Sequence, residues 1–288
     1  MKLINGIKNL INLYDVFIID QWGVMHNGKE GYSYAIECIN YLKEHNKKLI
    51  IISNSSKRKK SSINKLPDLG FSKYDFEEVL TSGEMIWNEI NFFLSNYGKD
   101  LNKCLHIFDK SKEDGLDFRI GLDKIVFTDE IKDADFILAC TPFKNSKPID
   151  YVPLLNTAIE KNIKMFCANP DFETIEIDKE NNIYCMGTIA QLYNDMGGEV
   201  IIMGKPSIDI YVEATKSLKH DKSKYLAIGD SLFHDIKGAL NFGIDSLLIT
   251  SGIHKEMFSL DNPIWEDPKN TLLEYDITPN FICKNFSI

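Results

Sequence analysis

The sequence predicts a doubly wound α/β protein with a mostly parallel sheet and a smaller α/β domain inserted into it. Three observations carry that prediction. Short apolar runs recur along the chain and alternate with stretches at helical spacing; a continuous apolar run suits a strand buried on both faces. Several runs end abruptly on polar residues, at the edge where open α/β sheets place their ligands. The rhythm also breaks beyond Gly98, restarts with its own runs and loops, and resumes at Glu199.

The first run, Val16–Ile19, ends on Asp20 and turns at Gly23 and again near Asn27-Gly28. Ala35, Ile36, Ile39 and Leu42 follow at helical spacing, and Lys43–Lys48 closes that helix with charge. Leu49–Ile52 is the next run and leads into Ser53-Asn54-Ser55-Ser56, then the basic Lys57–Lys60. Strand, helix and strand at this spacing form a βαβ unit with parallel neighbours, which puts Asp20 and Ser53 at one edge. A Ser-Asn-Ser turn there offers hydroxyl and backbone N–H donors to an oxyanion.

Val79–Thr81 is a third strand, and Met85 to Leu94 a helix with Trp87, Ile90 and Leu94 on one face. In the middle section Cys104–Phe108, Lys124–Phe127 and Phe136–Cys140 are strand-like, followed by a helix near Val152–Lys161 and the strand Ile163–Cys167, which ends in Asn169-Pro170-Asp171. The resumed rhythm assigns Val200–Met203 to the first domain, then Gly204-Lys205-Pro206 and a helix carrying Ile208, Val212 and Leu218. Tyr225–Ile228 runs into Gly229-Asp230-Ser231 and Asp235; a helix to Phe242, the strand Ser246–Ile249 and the turn Ser251-Gly252 complete the pattern. In the tail, Leu272–Tyr275 reads as a helical turn and Asn280–Cys283 as an edge strand. The expected domains are a core of residues 1–97 and 190–288 and an inserted domain of residues 98–189.

A chain of 288 residues with 44% hydrophobic and 26% charged residues has the composition of a soluble globular protein. The net charge of −9 argues against general affinity for nucleic acid or an anionic membrane surface. Six cysteines (Cys38, Cys104, Cys140, Cys167, Cys185 and Cys283) are scattered without a CxxC pair, so zinc-knuckle spacing is absent and a reducing compartment is indicated. The amino-terminal MKLINGIKNLINLYD lacks an apolar signal region, and no apolar run is long enough to span a bilayer, so a cytoplasmic location is expected.

Four strand ends thus offer Asp20, Ser53-Asn54, Lys205, and Asp230 with Asp235. Carboxylates, an ammonium and a hydroxyl-rich turn are the parts of aspartyl phosphoryl transfer. One carboxylate attacks phosphorus, others hold Mg²⁺, and the lysine and serine neutralise the phosphoryl oxygens.

In their order Asp20…Gly23-Val24, Ser53-Asn54, Gly204-Lys205-Pro206 and Gly229-Asp230…Asp235, these residues resemble the four motifs of the haloacid dehalogenase superfamily. The resemblance is to subclass IIA, the 4-nitrophenylphosphatase and phosphoglycolate phosphatase-like branch. It extends to Asn169-Pro170-Asp171. The stretch from Asp20 to Ser53 is too short for a cap domain, whereas Ser53 to Lys205 has room for one, as in that branch. The resemblance implies a Rossmann-like core with an α/β cap and a Mg²⁺-dependent hydrolase, a phosphatase or phosphotransferase acting on a small phosphorylated metabolite. It implies Asp20 as nucleophile and metal ligand, with the backbone carbonyl of Trp22, Asp230 and Asp235 also at the metal. Ser53 and the backbone at Asn54 would bind phosphate, Lys205 would bridge phosphate and nucleophile, Asn169 and Asp171 would face the substrate from the cap, and a homodimer would form through the cap.

One position departs from the family pattern. Its phosphatases carry a second Asp two residues after the nucleophile as general acid and base; here Trp22 stands there. General acid–base catalysis contributes about 10²–10⁴-fold, which an indole cannot supply. The alternative is therefore a degenerate relative that binds a phosphometabolite or partner without efficient turnover. His26, on the loop after Asp20, is a candidate substitute for the missing proton transfer, and His234 reads as a helix-surface residue. Gly198…Gly204-Lys205 is not a nucleotide P-loop, because its spacing is one residue too long and Pro206 stands where Ser or Thr belongs.

Overall fold

A computed structural model describes residues 1–97, 101–111, 114–173, 184–258, 272 and 277–288. The first strands are β1 (Lys2–Leu3), β2 (Val16–Ile19), β3 (Lys48–Ser53) and β4 (Glu78–Thr81). Next come β5 (Lys103–Ile107), β6 (Val126–Thr128), β7 (Phe136–Ala139), β8 (Lys164–Cys167) and β9 (Val200–Ile202). The last are β10 (Tyr225–Gly229), β11 (Asp245–Ile249) and β12 (Phe281–Cys283). The helices are α1 (Ser33–Glu44), α2 (Lys59–Lys65), α3 (Ser82–Tyr97), α4 (Asp114–Asp117), α5 (Val152–Glu160), α6 (Met186–Asp195), α7 (Ile208–Thr215) and α8 (Lys237–Phe242).

The chain divides into two compact units. The first comprises residues 1–53, 63–80 and 205–288. Its seven-stranded sheet has the order β1-β12-β11-β10-β2-β3-β4. β10, β2 and β3 pair in parallel, with Ile228 opposite Ile19 and Ile19 opposite Ile51. All four residues of β2 are buried, as the uninterrupted apolar run requires. One face packs Phe17, Ile19, Leu49 and Ile51 against Ala35, Ile39 and Leu42 of α1, three of the residues at helical spacing, and against Cys38, while Ile36 is only partly buried there. At roughly 25 cal/mol per Å² of apolar surface, each of the Phe, Leu and Ile side chains here contributes on the order of 1.5–3 kcal/mol.

The second unit comprises residues 54–62 and 81–204, around a parallel five-stranded sheet of order β6-β5-β7-β8-β9. Phe136, Leu138 and Phe166 pack with Ile86 and Ile90 of α3 on one face, and Ile137 and Met165 with Leu155 of α5 and Ile189 of α6 on the other.

These units take more chain into the second body than the expected 98–189. β9 pairs with β8, Ile201 opposite Phe166, so the run expected to resume the first sheet is an edge of the second. Helix α3 likewise packs on that second sheet. The tail strand β12 lies between β1 and β11, so the edge belongs to the two-residue β1 instead. Of the expected turn Leu272–Tyr275, residues 273–275 lie outside the described residues. Among the described residues no helix is long and apolar enough to cross a membrane.

Candidate active site

The first unit gathers four charged side chains at the carboxyl edge of its central strands. Asp20 follows β2, and its N–H extends the ladder by donating to the Ile228 carbonyl of β10 at 2.9 Å. Asp230 follows β10 directly. Asp235 comes from the next turn, a π-helical segment, Leu232–Ile236, opened by Ser231, whose hydroxyl accepts from the His234 N–H. Such segments recur at functional sites. Gly229 permits this return, since a Cβ there would overlap the Asp235 carboxylate. Lys205 precedes α7, which Ser207 caps by accepting from the Asp209 N–H.

The Lys205 ammonium donates to Asp20 Oδ1 at 2.5 Å and to Asp235 Oδ1 at 2.7 Å, with Lys205 only 3% exposed. Burial alone would lower its pKa, but the Asp20 and Asp235 carboxylates outweigh that and hold it well above the usual lysine value. The second Asp235 oxygen accepts from the Ser231 N–H at 3.1 Å. Asp230 Oδ2 accepts from the Ile253 N–H at 2.8 Å. Burial first, then the Asp20 and Asp235 charges, push the Asp230 carboxyl well above the carboxylate range.

Asp20, Asp230 and Asp235 present carboxylate oxygens within 4.8 Å of one another, all three residues buried. Three carboxylates against one ammonium leave the cluster in excess negative charge when ionised. Hard oxygen donors around such an excess fit a divalent cation of the Mg²⁺ kind. These three residues would hold it.

Ser53 ends β3, the parallel neighbour of β2, so it shares the carboxyl edge with Asp20 and is buried. Asn54, Asn169 and Asp171 belong to the second unit, where Asn54 Nδ2 donates to Asp171 Oδ1 at 2.7 Å and the Asp171 N–H donates to Asn169 Oδ1 at 3.0 Å. Asn54 is thus bonded to the Asp171 side chain, and Asn169 to the Asp171 main chain.

Two family models cover the parts of the chain that carry this edge. One, described as haloacid dehalogenase-like hydrolase, matches residues 17–109, and a second, HAD-hydrolase-like, matches residues 202–287. The chain belongs to the haloacid dehalogenase superfamily. It is 25% identical to the 5'-nucleotidase YutF of Bacillus subtilis over 252 residues, covering 86% of this chain and 92% of that protein. It is 24% identical to the 4-nitrophenylphosphatase of Schizosaccharomyces pombe over 285 residues, 90% of this chain and 92% of that one. The crystal structure of a haloacid dehalogenase-like hydrolase from Brucella suis superposes with a TM-score of 0.81 at 26% identity, covering 98% of this chain and 99% of that one.

The Trp22 indole packs on the turn that follows Asp20. Gly28, at φ +89°, lies against its ring, and His26 meets it edge-on at 5.2 Å between centroids. His26, on the loop after Asp20, is buried, and its Nδ1 accepts the Gly28 N–H at 3.1 Å. His234 is half-buried, with Nδ1 3.1 Å from the Ser231 hydroxyl.

Sequence reasoning placed the turn Ser251-Gly252 after β11 but gave it no role at the site. Gly252 admits the Asp230 carboxylate where a Cβ would overlap it, Ile253 donates to that carboxylate, and His254 Nε2 accepts the Leu232 N–H at 3.2 Å. Burial lowers the His254 pKa, consistent with the neutral ring that accepting requires. The Ser251-Gly252 pair at a strand end was the available signal.

Proposed function

We propose that the protein is a Mg²⁺-dependent phosphatase or phosphotransferase that takes the phosphoryl group of a small phosphorylated metabolite onto Asp20. The observation that carries this reading is the Lys205 ammonium seated between Asp20 and Asp235 at the edge of the central strands. An ammonium so placed meets both the attacking carboxylate and the charge on the phosphoryl oxygens.

An Asp20 oxygen attacks phosphorus, and the new P–O bond forms as the bond to the leaving oxygen breaks, with the electron pair going to that oxygen. Water then attacks the same phosphorus, the P–O bond to Asp20 breaks, and inorganic phosphate leaves with Asp20 restored; a phosphotransferase uses an acceptor hydroxyl in place of water. Asp20, Asp230, Asp235 and the Trp22 carbonyl would hold Mg²⁺, which neutralises charge on the transferring group. The Ser53 hydroxyl and the Asn54 N–H take further phosphoryl oxygens. The names of the Bacillus and Schizosaccharomyces relatives, both enzymes of small phosphate monoesters, support the substrate class.

Trp22 offers no proton, so the reading favours esters whose leaving group departs without one. The same residue favours the second reading, a relative that binds a phosphometabolite or partner without efficient turnover. Phosphate release from 4-nitrophenyl phosphate with Mg²⁺ separates them. Activity in the wild type that vanishes in Asp20→Asn is the expected result. Activity that survives Asp20→Asn overturns the aspartyl route, and an inactive wild type selects the second reading.

A further inference from the structure

Asn54 and Asp171 lie 117 positions apart in the chain, yet they form one of the shorter side-chain bonds of the second unit, Nδ2 to Oδ1 at 2.7 Å. Asp171 is itself anchored on both sides of its peptide. Its N–H donates to Asn169 Oδ1 at 3.0 Å, and its carbonyl accepts from the Gly187 N–H at 3.0 Å. Gly187, near the start of α6, presses so closely on the Pro170 and Asp171 carbonyls that no Cβ fits there. The turn 169–171 is therefore built by its own strand and helix, and it presents a carboxylate oxygen to Asn54.

The other end of the Asn54 amide lies close to Gly204. A Cβ placed on Gly204 would come within 2.5 Å of Asn54 Oδ1, 2.7 Å of Pro170 Cγ and 3.0 Å of Ser82 Oγ. Asn54 is the covalent neighbour of Ser53, and Gly204 is that of Lys205. One primary amide thus bonds through its nitrogen to the Asp171 carboxylate, and its oxygen lies so close to the residue preceding the lysine that no Cβ fits there. A hydrogen bond to an ionised acceptor is about twice as strong as a neutral one and holds a planar amide in one orientation.

We propose that Asp171 is a positioning residue: by fixing the Asn54 amide it sets the peptides that carry Ser53 and Lys205, and it does not contact the substrate. This inference rests on the phosphoryl-transfer reading above. A misplacement of the order of 1 Å in such a site costs up to about 10²-fold.

The test is a double-mutant cycle of Asn54→Ala and Asp171→Ala, with Asp171→Asn as the conservative variant, in the full chain with Mg²⁺ and 4-nitrophenyl phosphate. Each alanine variant is expected to lower kcat by about 10- to 100-fold with KM little changed, and the double variant to be no worse than the poorer single one. Asp171→Asn, whose amide oxygen still accepts from Asn54, is expected to recover most of the loss. Losses that multiply in the double variant overturn the proposal, as does an Asp171→Ala effect confined to KM or an Asp171→Asn variant as poor as alanine. Should Asp171→Ala fail to fold, Asp171→Glu keeps the charge, displaces the acceptor by one methylene, and carries the same expectation. Calorimetric binding of inorganic phosphate with Mg²⁺ reads the cycle without turnover. A wild type that binds phosphate but releases none fails the phosphatase reading while the cycle still decides the positioning role; one that binds none overturns both.

Discussion

The Trp22 ring occupies the space that a side chain on residue 28 would need, and Gly28 sits at φ +89°, where only glycine is unstrained. The two residues close the turn that follows Asp20.

Gly28→Ala is accordingly expected to destabilise the protein by about 1–3 kcal/mol from backbone strain, with a further loss from the collision with the ring. In a Trp22→Ala background the collision disappears and only the strain persists. Thermal unfolding of the two singles and the double variant checks this; equal costs of Gly28→Ala in both backgrounds would remove the steric account.

Lys205→Met is expected to abolish phosphate release. It also leaves Asp20 and Asp235 buried without their shared ammonium, a loss of about 3–5 kcal/mol typical of breaking one side of a buried ion pair. Chemical denaturation beside the activity assay measures both effects.

Asp230→Asn has opposite consequences with and without cation. Without it, the substitution relieves a carboxylate that burial and two like charges disfavour, so the melting temperature rises. With it, the wild type gains stability by mass action, about 2.7 kcal/mol at a Mg²⁺ concentration 100 times Kd, and the variant gains much less. Scanning calorimetry over a Mg²⁺ series shows whether the two curves cross as expected.

His106 supplies a separate pH signature. In the second unit its Nδ1 accepts from Arg119 Nε at 3.1 Å and its Nε2 lies 3.3 Å from Cys140 Sγ. Burial, then the Arg119 charge, lowers its pKa from 6.5 to about 3. The folded protein therefore keeps the ring neutral while the unfolded chain takes a proton below pH 6.5. The stability from this site is full above 6.5 and is lost as pH falls, at up to about 1.4 kcal/mol per pH unit, until pH about 3. His106→Gln is expected to lack this component of the slope, which denaturation midpoints at several pH values resolve.

Much of the first sheet was legible because strands buried on both faces are written as unbroken apolar runs. Val16–Ile19 and Tyr225–Ile228 show this, and the carboxylates Asp20 and Asp230 stand out as abrupt polar ends to those runs. An apolar run does not say which neighbour it will pair with. Val200–Ile202 was readable as a strand yet assigned to the wrong sheet, since its partner β8 is chosen by three-dimensional register alone. Ile253 was invisible for a different reason: it acts through a backbone N–H, which every residue but proline has. Asn54 and Asp171 could each be singled out, but a bond between residues so far apart leaves no local pattern.

The division of the chain also orders events during synthesis. Lys205 meets Asp20 across 185 positions, and closing a flexible loop of that length costs about 4–5 kcal/mol of chain entropy. Residues 81–204 emerge from the ribosome before β10 and hold a complete five-stranded sheet. Once that sheet folds, the intervening polypeptide is a compact body instead of a slack loop, and the search that brings the lysine to the aspartate is shortened. A nascent chain stopped anywhere before Asp235 carries an unfinished carboxylate cluster, so the first unit can assemble its charged edge only after the second unit has been synthesised.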